Sequence, residues 1–298
     1  MAQSAPHSPP RPERLVLVVA VAVGLSIMGD SLMYGLLPIE AENLGIALPL
    51  VGVLLSANRL VRLASNTWAG VVFDRFGPHR PFVAATVLGL AAAVIYGVGW
   101  GFAVFLLARA GWGVAWSALR QGGYQAIWGG DEAKKGRLMG VLWGVVRLGS
   151  AISVLAGGFL RDRFGYRVAA QSVAAMTALA IPVALFMRWP DVPLAREEAA
   201  ESSLAGWRMA ARTPPRRWLL VAAFVDGMVE GILVSTAALF LTERVGAETP
   251  PALLGVGVGT VAGLLLAVRF SSSLVFGPAI GALSDRLGQP QTLLLMAV

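Results

Sequence analysis

GVVFDRFG, from Gly70 to Gly77, decides how this chain is read, because the pattern returns as GFLRDRFG at Gly158 to Gly165 and as GALSDRLG at Gly281 to Gly288. Each copy reads G-x-x-x-D-R-x-G and closes a long apolar run. The leading glycine suits close approach of two helices, the Asp and Arg fall where the run leaves an apolar medium, and the final glycine suits a tight reversal into the next run. One copy would say little. Three copies at the ends of apolar runs two, five and eight describe an internally repeated chain.

The runs themselves are membrane-sized. Of 298 residues, 56% are hydrophobic and 14% charged, and the mean hydropathy is +0.70, far from the balance of a soluble domain. A bilayer core takes about 20 apolar residues per helix. Spans are expected at Leu15 to Pro38, Leu48 to Phe73, Pro81 to Val98, Phe102 to Trp128, Leu138 to Leu160, Val168 to Met187, Trp218 to Thr242 and Leu253 to Leu283, with a ninth begun near Thr292. The first run is too long for a cleaved signal and carries Asp30, so it reads as a helix behind a cytoplasmic tail, residues 1–14. The polar stretch 189–217 reads as a cytoplasmic linker between a six-helix bundle, 15–188, and a partial second bundle, 218–298. The fold class expected is therefore an all-α membrane protein with inverted and parallel internal repeats.

Lysine and arginine set the orientation. With the N-terminus inside the cell membrane, inner segments hold Arg11, Arg14, Lys134, Lys135, Arg137 and Arg208 to Arg217, whereas the first outer loop holds Glu40 and Glu42 and no base. Arg161, Arg163 and Arg167 dissent. If transporter halves are inverted pairs of three-helix units, the middle motif copy belongs on the outer face, and the dissent is explained. A second echo aligns GDSLMYGLLP, 29–38, with VDGMVEGILV, 225–234, and sets Asp30 on Asp226.

The formal charge of +7 lies between apolar runs and not among interleaved aromatics, so anionic lipid is the expected partner and nucleic acid is not. There is no cysteine, and His7 and His79 lie far apart, which leaves no metal-ligand spacing. GVGVG at 255–259 has no preceding strand and no following lysine, so it reads as helix packing. No catalytic constellation and no cofactor motif is present, and an enzyme is not expected.

Ionisable residues inside spans cost about 2.5 to 3.5 kcal/mol on insertion scales and so face a cavity or a partner. Here they are Asp30, Arg59, Arg62, Arg109, Arg120, Arg147, Asp226, Glu230 and Arg269. The surplus of cations would suit a carboxylate or phosphate on a solute, with Tyr34 and Asn58 as further cavity candidates. Asp30, Asp226 and Glu230 are the candidate proton carriers. The plainer alternative is a static pair with Arg59, Arg62 or Arg109 that holds helices together.

With these residues in view, the chain resembles the major facilitator superfamily from about Leu15 onward: GVVFDRFGPHR resembles that family's loop after span two, the copy at 281–288 its degenerate repeat, and Arg109 and Gly113 in ARAGWG its span-four pair. The resemblance implies two six-helix bundles that rock about a central cavity, and with the acids inside the spans the expected function is monomeric, proton-coupled secondary transport of a small anionic or amphipathic solute, with efflux as one direction. It also implies a cytoplasmic gate at Gly70, Asp74, Arg75, Gly77 and Arg80 with Gly281, Asp285, Arg286 and Gly288. The sequence departs from the antiporter pattern in span five, where Ser153 and Val154 precede Gly157 and Gly158 without a Gly-Pro pair. It also ends inside the second bundle, as a partial sequence or a truncated product would. An uncoupled facilitator and a transport-dead scaffold or sensor are the alternative functions.

Overall fold

The computed structural model describes residues 12–99, 101–128, 132–189 and 256–288, with isolated positions between 218 and 244 and at 291–292. Helices α1 (Pro12–Ser26) and α2 (Met28–Glu40) form the first span, followed by α3 (Leu48–Phe76), α4 (His79–Val98), α5 (Phe102–Trp128), α6 (Lys135–Phe164), α7 (Tyr166–Ala178) with α8 (Ala180–Leu185), and α9 (Val258–Leu287). Seven of these helical stretches among the described residues are long and apolar enough to cross a bilayer. They match the expected spans one to six and eight, and the eighth runs from Val258 to Leu287 where 253–283 is expected. The expected seventh span, at 218–242, and the ninth, beyond Thr292, lie outside the continuously described residues.

Local chemistry explains the breaks. Ser26 Oγ donates to the Ala22 carbonyl at 2.9 Å, the back-bond that bends helices, and the turn at Ile27 follows. Pro182 has no N–H for the Ala178 carbonyl, so the chain tightens at Leu179, whose N–H reaches the Met176 carbonyl at 3.1 Å. The motif helices run through their Asp-Arg pairs and stop at Gly77, Gly165 and Gly288, with φ of 72°, 84° and 86°. Their ψ values, 168°, 168° and 153°, complete a conformation that is essentially glycine's alone.

The helices alternate in direction. The face on which α1 begins also receives the ends of α3 and α9 and the start of α6; the opposite face receives the ends of α2 and α6 and the start of α9. The main core packs Met28, Leu32, Met33, Leu36, Leu37, Phe82, Phe105 and Trp112 between α1, α2, α4, α5 and α7. A second cluster, Ala151, Val154, Leu266, Ala267 and Phe270, lies between α6 and α9. Tyr34 packs against both clusters. Apolar side chains such as Leu60, Leu63, Trp68 and Leu107 point outward, as surfaces facing lipid do.

The α6 and α9 helices meet along their length through glycine. A Cβ on Gly140 would collide with the Gly277 carbonyl, one on Gly158 with the Gly259 carbonyl, and one on Gly281 with the Gly136 carbonyl. Small residues let the backbones touch where lipid offers no hydrophobic drive. The leading glycine of the first motif copy differs. A Cβ on Gly70 would meet nothing within 4 Å among the described residues, so close approach holds for two of the three copies.

Candidate functional site

Asp30 on α2 and Arg109 on α5 form an ion pair in the bundle interior, with Arg109 fully buried and Asp30 nearly so. Of the three arginines that the sequence offers Asp30, the structure pairs it with Arg109. The guanidinium is further held by α3, through Nε to the Leu54 carbonyl at 2.9 Å and Nη2 to the Leu55 carbonyl at 3.1 Å. Its Nη2 reaches the Tyr34 hydroxyl at 3.4 Å, and its charge lies 5.3 Å from the Tyr34 ring centre. Asn58 Nδ2 donates to Asp30 Oδ1 at 3.4 Å. The Asn58 side-chain oxygen is buried with no hydrogen-bond partner among the described residues.

Four hydrogen bonds, from Tyr34 on α2 and from Leu54, Leu55 and Asn58 on α3, thus converge on one charge pair that joins α2 to α5. Arginine suits this position because its planar fork serves a carboxylate and two carbonyls at once. Charges taken out of water are tolerated only when so paired and bonded. Chemically, the pair is a carboxylate whose protonation would release a cation that bridges three helices.

The other sequence candidates are distributed differently. Arg59 and Arg62 lie half-buried on α3, one and two turns beyond Leu55. Arg120 lies over the Tyr124 ring at 5.8 Å and Arg147 over the Phe270 ring at 5.4 Å. Arg269 is exposed on α9. Asp226 and Glu230 lie outside the described residues. In the first motif copy Asp74, Arg75 and Arg80 are exposed, and Arg75 lies over Phe76 at 5.4 Å.

The later motif copies have structural work. Asp285 accepts the backbone N–H groups of Gly136 at 2.7 Å and Arg137 at 2.8 Å, the second and third residues of α6. Asp162 accepts those of Gly259 at 3.2 Å and Thr260 at 2.7 Å, the second and third residues of α9, and the Thr260 hydroxyl at 2.7 Å. Neither helix has a side-chain cap of its own. Each therefore has its orphan N–H groups satisfied by the other's motif aspartate, where the helix dipole also favours negative charge. Arg161 bonds Glu40 at 2.5 Å and Asp162 at 3.1 Å, so part of the basic cluster that dissents from the charge rule is neutralised locally. Arg286 and the terminal Gly288 sit exposed at the end of α9.

Sequence reasoning assigns no contact to Asp162, Ser153 or Trp143. Ser153, standing where a Gly-Pro pair would be, donates its hydroxyl to the Met28 carbonyl at 2.5 Å. Trp143 lies one helical turn before Arg147, so the i, i+4 spacing was the available signal. Trp143, Arg147, Ser272, Ser273, Phe276, Gly277 and Ile280 line a cavity of about 360 Å³ between α6 and α9.

Membrane-length helices in alternating directions, internally repeated motifs and a buried charged pair define a polytopic helical membrane protein of the repeated-bundle type. The chain belongs to the Major Facilitator Superfamily of transporters, whose family model matches residues 19–298. It is similar to the Multidrug resistance protein MdtG of Klebsiella pneumoniae (strain 342), 25% identical over 281 residues that cover 90% of this chain and 64% of that protein. The chain thus spans a little under two thirds of that relative's length.

Proposed function

We propose that the chain is a secondary transporter that exports a small amphipathic solute by alternating access, with proton coupling through Asp30. The observation that carries this reading is the buried Asp30–Arg109 pair, bonded to α2, α3 and α5. Protonating Asp30 removes the charge that holds Arg109, and a cation left without its counter-ion in an apolar interior drives a rearrangement. Export is supported by the name of the similar protein, a multidrug resistance protein.

In this reading residues 15–188 form one bundle, 189–217 a cytoplasmic linker and 218–298 part of the second. The N-terminus is cytoplasmic, the membrane is the cell membrane, and the working unit is a monomer. Asp74, Arg75 and Arg80 with Asp285 and Arg286 form the cytoplasmic gate. Asp226 and Glu230 are secondary proton candidates through the echo of the first span.

The test is flux in proteoliposomes under an imposed pH gradient. Wild-type protein drives solute against its gradient, while Asp30→Asn permits exchange but no proton-driven accumulation. Flux that ignores the gradient in wild type would identify an uncoupled facilitator. Accumulation undiminished in Asp30→Asn would remove Asp30 from the coupling path.

A further inference from the structure

We infer that Asn58 is the positioning residue that receives Asp30 once Asp30 is protonated: its amide forms a two-pronged pair with the neutral acid, and Arg109 is released. The inference rests on the proton-coupling reading and deepens it by naming the partner of the second protonation state.

Asn58 lies one helical turn after Leu54, whose carbonyl, with that of Leu55, holds Arg109. The same stretch of α3 thus grips the cation with its backbone and reaches the anion with a side chain, Asn58 Nδ2 donating to Asp30 Oδ1 at 3.4 Å. The backbone at this point is fixed. Gly113, one turn after Arg109 on α5, lets the two helices press so closely that a Cβ there would lie 2.7 Å from the Asn58 carbonyl oxygen. Movement is left to the amide.

That amide is only half used. Asn58 is 3% exposed, and its Oδ1 has no hydrogen-bond partner among the described residues. A buried acceptor without a donor is unfavourable. An ionised carboxylate has no donor to offer it, whereas a protonated one carries an O–H. An amide presents N–H and C=O side by side, the complement of the C=O and O–H of a carboxylic acid, just as a guanidinium fork is the complement of a carboxylate. Uptake of one proton by Asp30 therefore gives Asn58 Oδ1 its donor, while Nδ2 continues to serve the acid carbonyl. The charge of the Asp30 and Arg109 pair rises by one, and Arg109 keeps its carbonyls but loses its anion.

The surrounding helices supply the other ionisable groups. Arg109 on α5 and Arg62 on α3 act on Asp30 directly, and Tyr34 on α2 and Tyr96 on α4 lie in the field of Arg109. On α7, Tyr166 donates to the Tyr96 carbonyl at 2.8 Å. On α6, Arg147 lies over the Phe270 ring of α9. The ionisable side chains of α1 and α9 are exposed. Of the two side chains hydrogen-bonded to Asp30 among the described residues, Arg109 offers donors only and Asn58 offers both a donor and an acceptor.

The test is infrared difference spectroscopy of the full chain in lipid nanodiscs, cycled between alkaline and acidic buffer. The chain has three asparagines, Asn43, Asn58 and Asn66, so labelling asparagine Cγ with heavy carbon isolates few signals. Unlabelled wild type should gain a carboxylic acid band on acidification that is missing in Asp30→Asn. In labelled wild type an asparagine carbonyl band should shift down at the same pH, and that signal should vanish in Asn58→Leu. The Asp30 acid band should move up in Asn58→Leu, where its O–H has lost the acceptor, and part of the way back in Asn58→Ser, which restores a hydroxyl. If Asn58→Leu does not yield folded protein, joining Asn43→Gln to Asn66→Gln leaves Asn58 as the single asparagine and assigns the band.

An Asp30 acid band with no change at the Asn58 carbonyl, or one that sits at the same position in folded Asn58→Leu, overturns the inference and leaves the coupling reading standing. Absence of any Asp30 acid band removes both. Both bands present without pH-driven flux would keep the Asn58 pair and remove the transport reading.

Discussion

Asp162 and Asp285 occupy equivalent places at opposite ends of one antiparallel helix pair: each accepts the second and third backbone N–H groups of the helix that carries the other. The two caps are about 39 Å apart by the rise along α6 from Gly136 to Asp162. Between them the backbones touch through glycine. The α6 and α9 pair is therefore fastened at both ends and along its seam.

Replacing either aspartate with Asn keeps the shape and removes the charge. Asp162→Asn and Asp285→Asn turn one of the two acceptor oxygens into an NH2 that faces a helix N–H, and are each expected to cost about 0.5 to 2 kcal/mol, the scale of a weakened helix cap. At this separation the two costs should add within about 0.5 kcal/mol in the double variant. Denaturant titration of the detergent-solubilised protein, followed by tryptophan emission, checks both values.

Gly140→Val should push α6 from α9, because its Cβ already collides with the Gly277 carbonyl. A loss of about 1 to 3 kcal/mol is expected from overpacking, and more if the seam parts. Gly70→Ala is the contrasting case, with nothing among the described residues within 4 Å of the added Cβ and a gain in helix propensity of up to about 1 kcal/mol. Thermal aggregation temperatures of the two variants should move in opposite directions.

Arg109→Gln leaves Asp30 buried without its cation and should cost about 3 to 5 kcal/mol. Arg109→Lys should not restore the loss, since an ammonium cannot serve Asp30 and the Leu54 and Leu55 carbonyls together. Joining Asp30→Asn to Arg109→Gln should recover part of the stability. Yield of monodisperse protein and its melting temperature rank the three variants against wild type.

Gly77, Gly165 and Gly288 share one glycine-only conformation. Alanine at any of them should cost about 1 to 3 kcal/mol through backbone strain. Among the described residues a Cβ on Gly77 or Gly165 would meet nothing within 4 Å, so backbone strain is the effect expected there. Comparable destabilisation by Gly77→Ala and Gly165→Ala in thermal melts is the expected result, and a neutral Gly165→Ala would contradict it.

Much of this was legible in the sequence. Apolar runs of membrane length located the helices because lipid leaves the backbone no other way to satisfy its N–H and C=O groups. The motif's last glycine announced each reversal because the required φ and ψ are a property of that residue alone. An acid in the first run and Arg109 in the fourth declared that partners must exist, since neither charge is tolerated alone in such a medium. These are local or solvent-imposed constraints, and a single chain states them directly.

What only the tertiary structure decided is which groups meet. Asp30 had three arginines within its reach in the sequence, and the α2, α3 and α5 packing brings Arg109 to it with the Leu54 and Leu55 carbonyls. The repeated G-x-x-x-D-R-x-G identified equivalent helix ends, but its leading glycine makes a seam at Gly158 and Gly281 and meets no neighbour among the described residues at Gly70. Two of its aspartates cap helices roughly a hundred or more residues away in the chain, at 259–260 from Asp162 and at 136–137 from Asp285, while Asp74 is exposed. Contacts at such separation depend on how helices cross, which side chains along one helix do not encode.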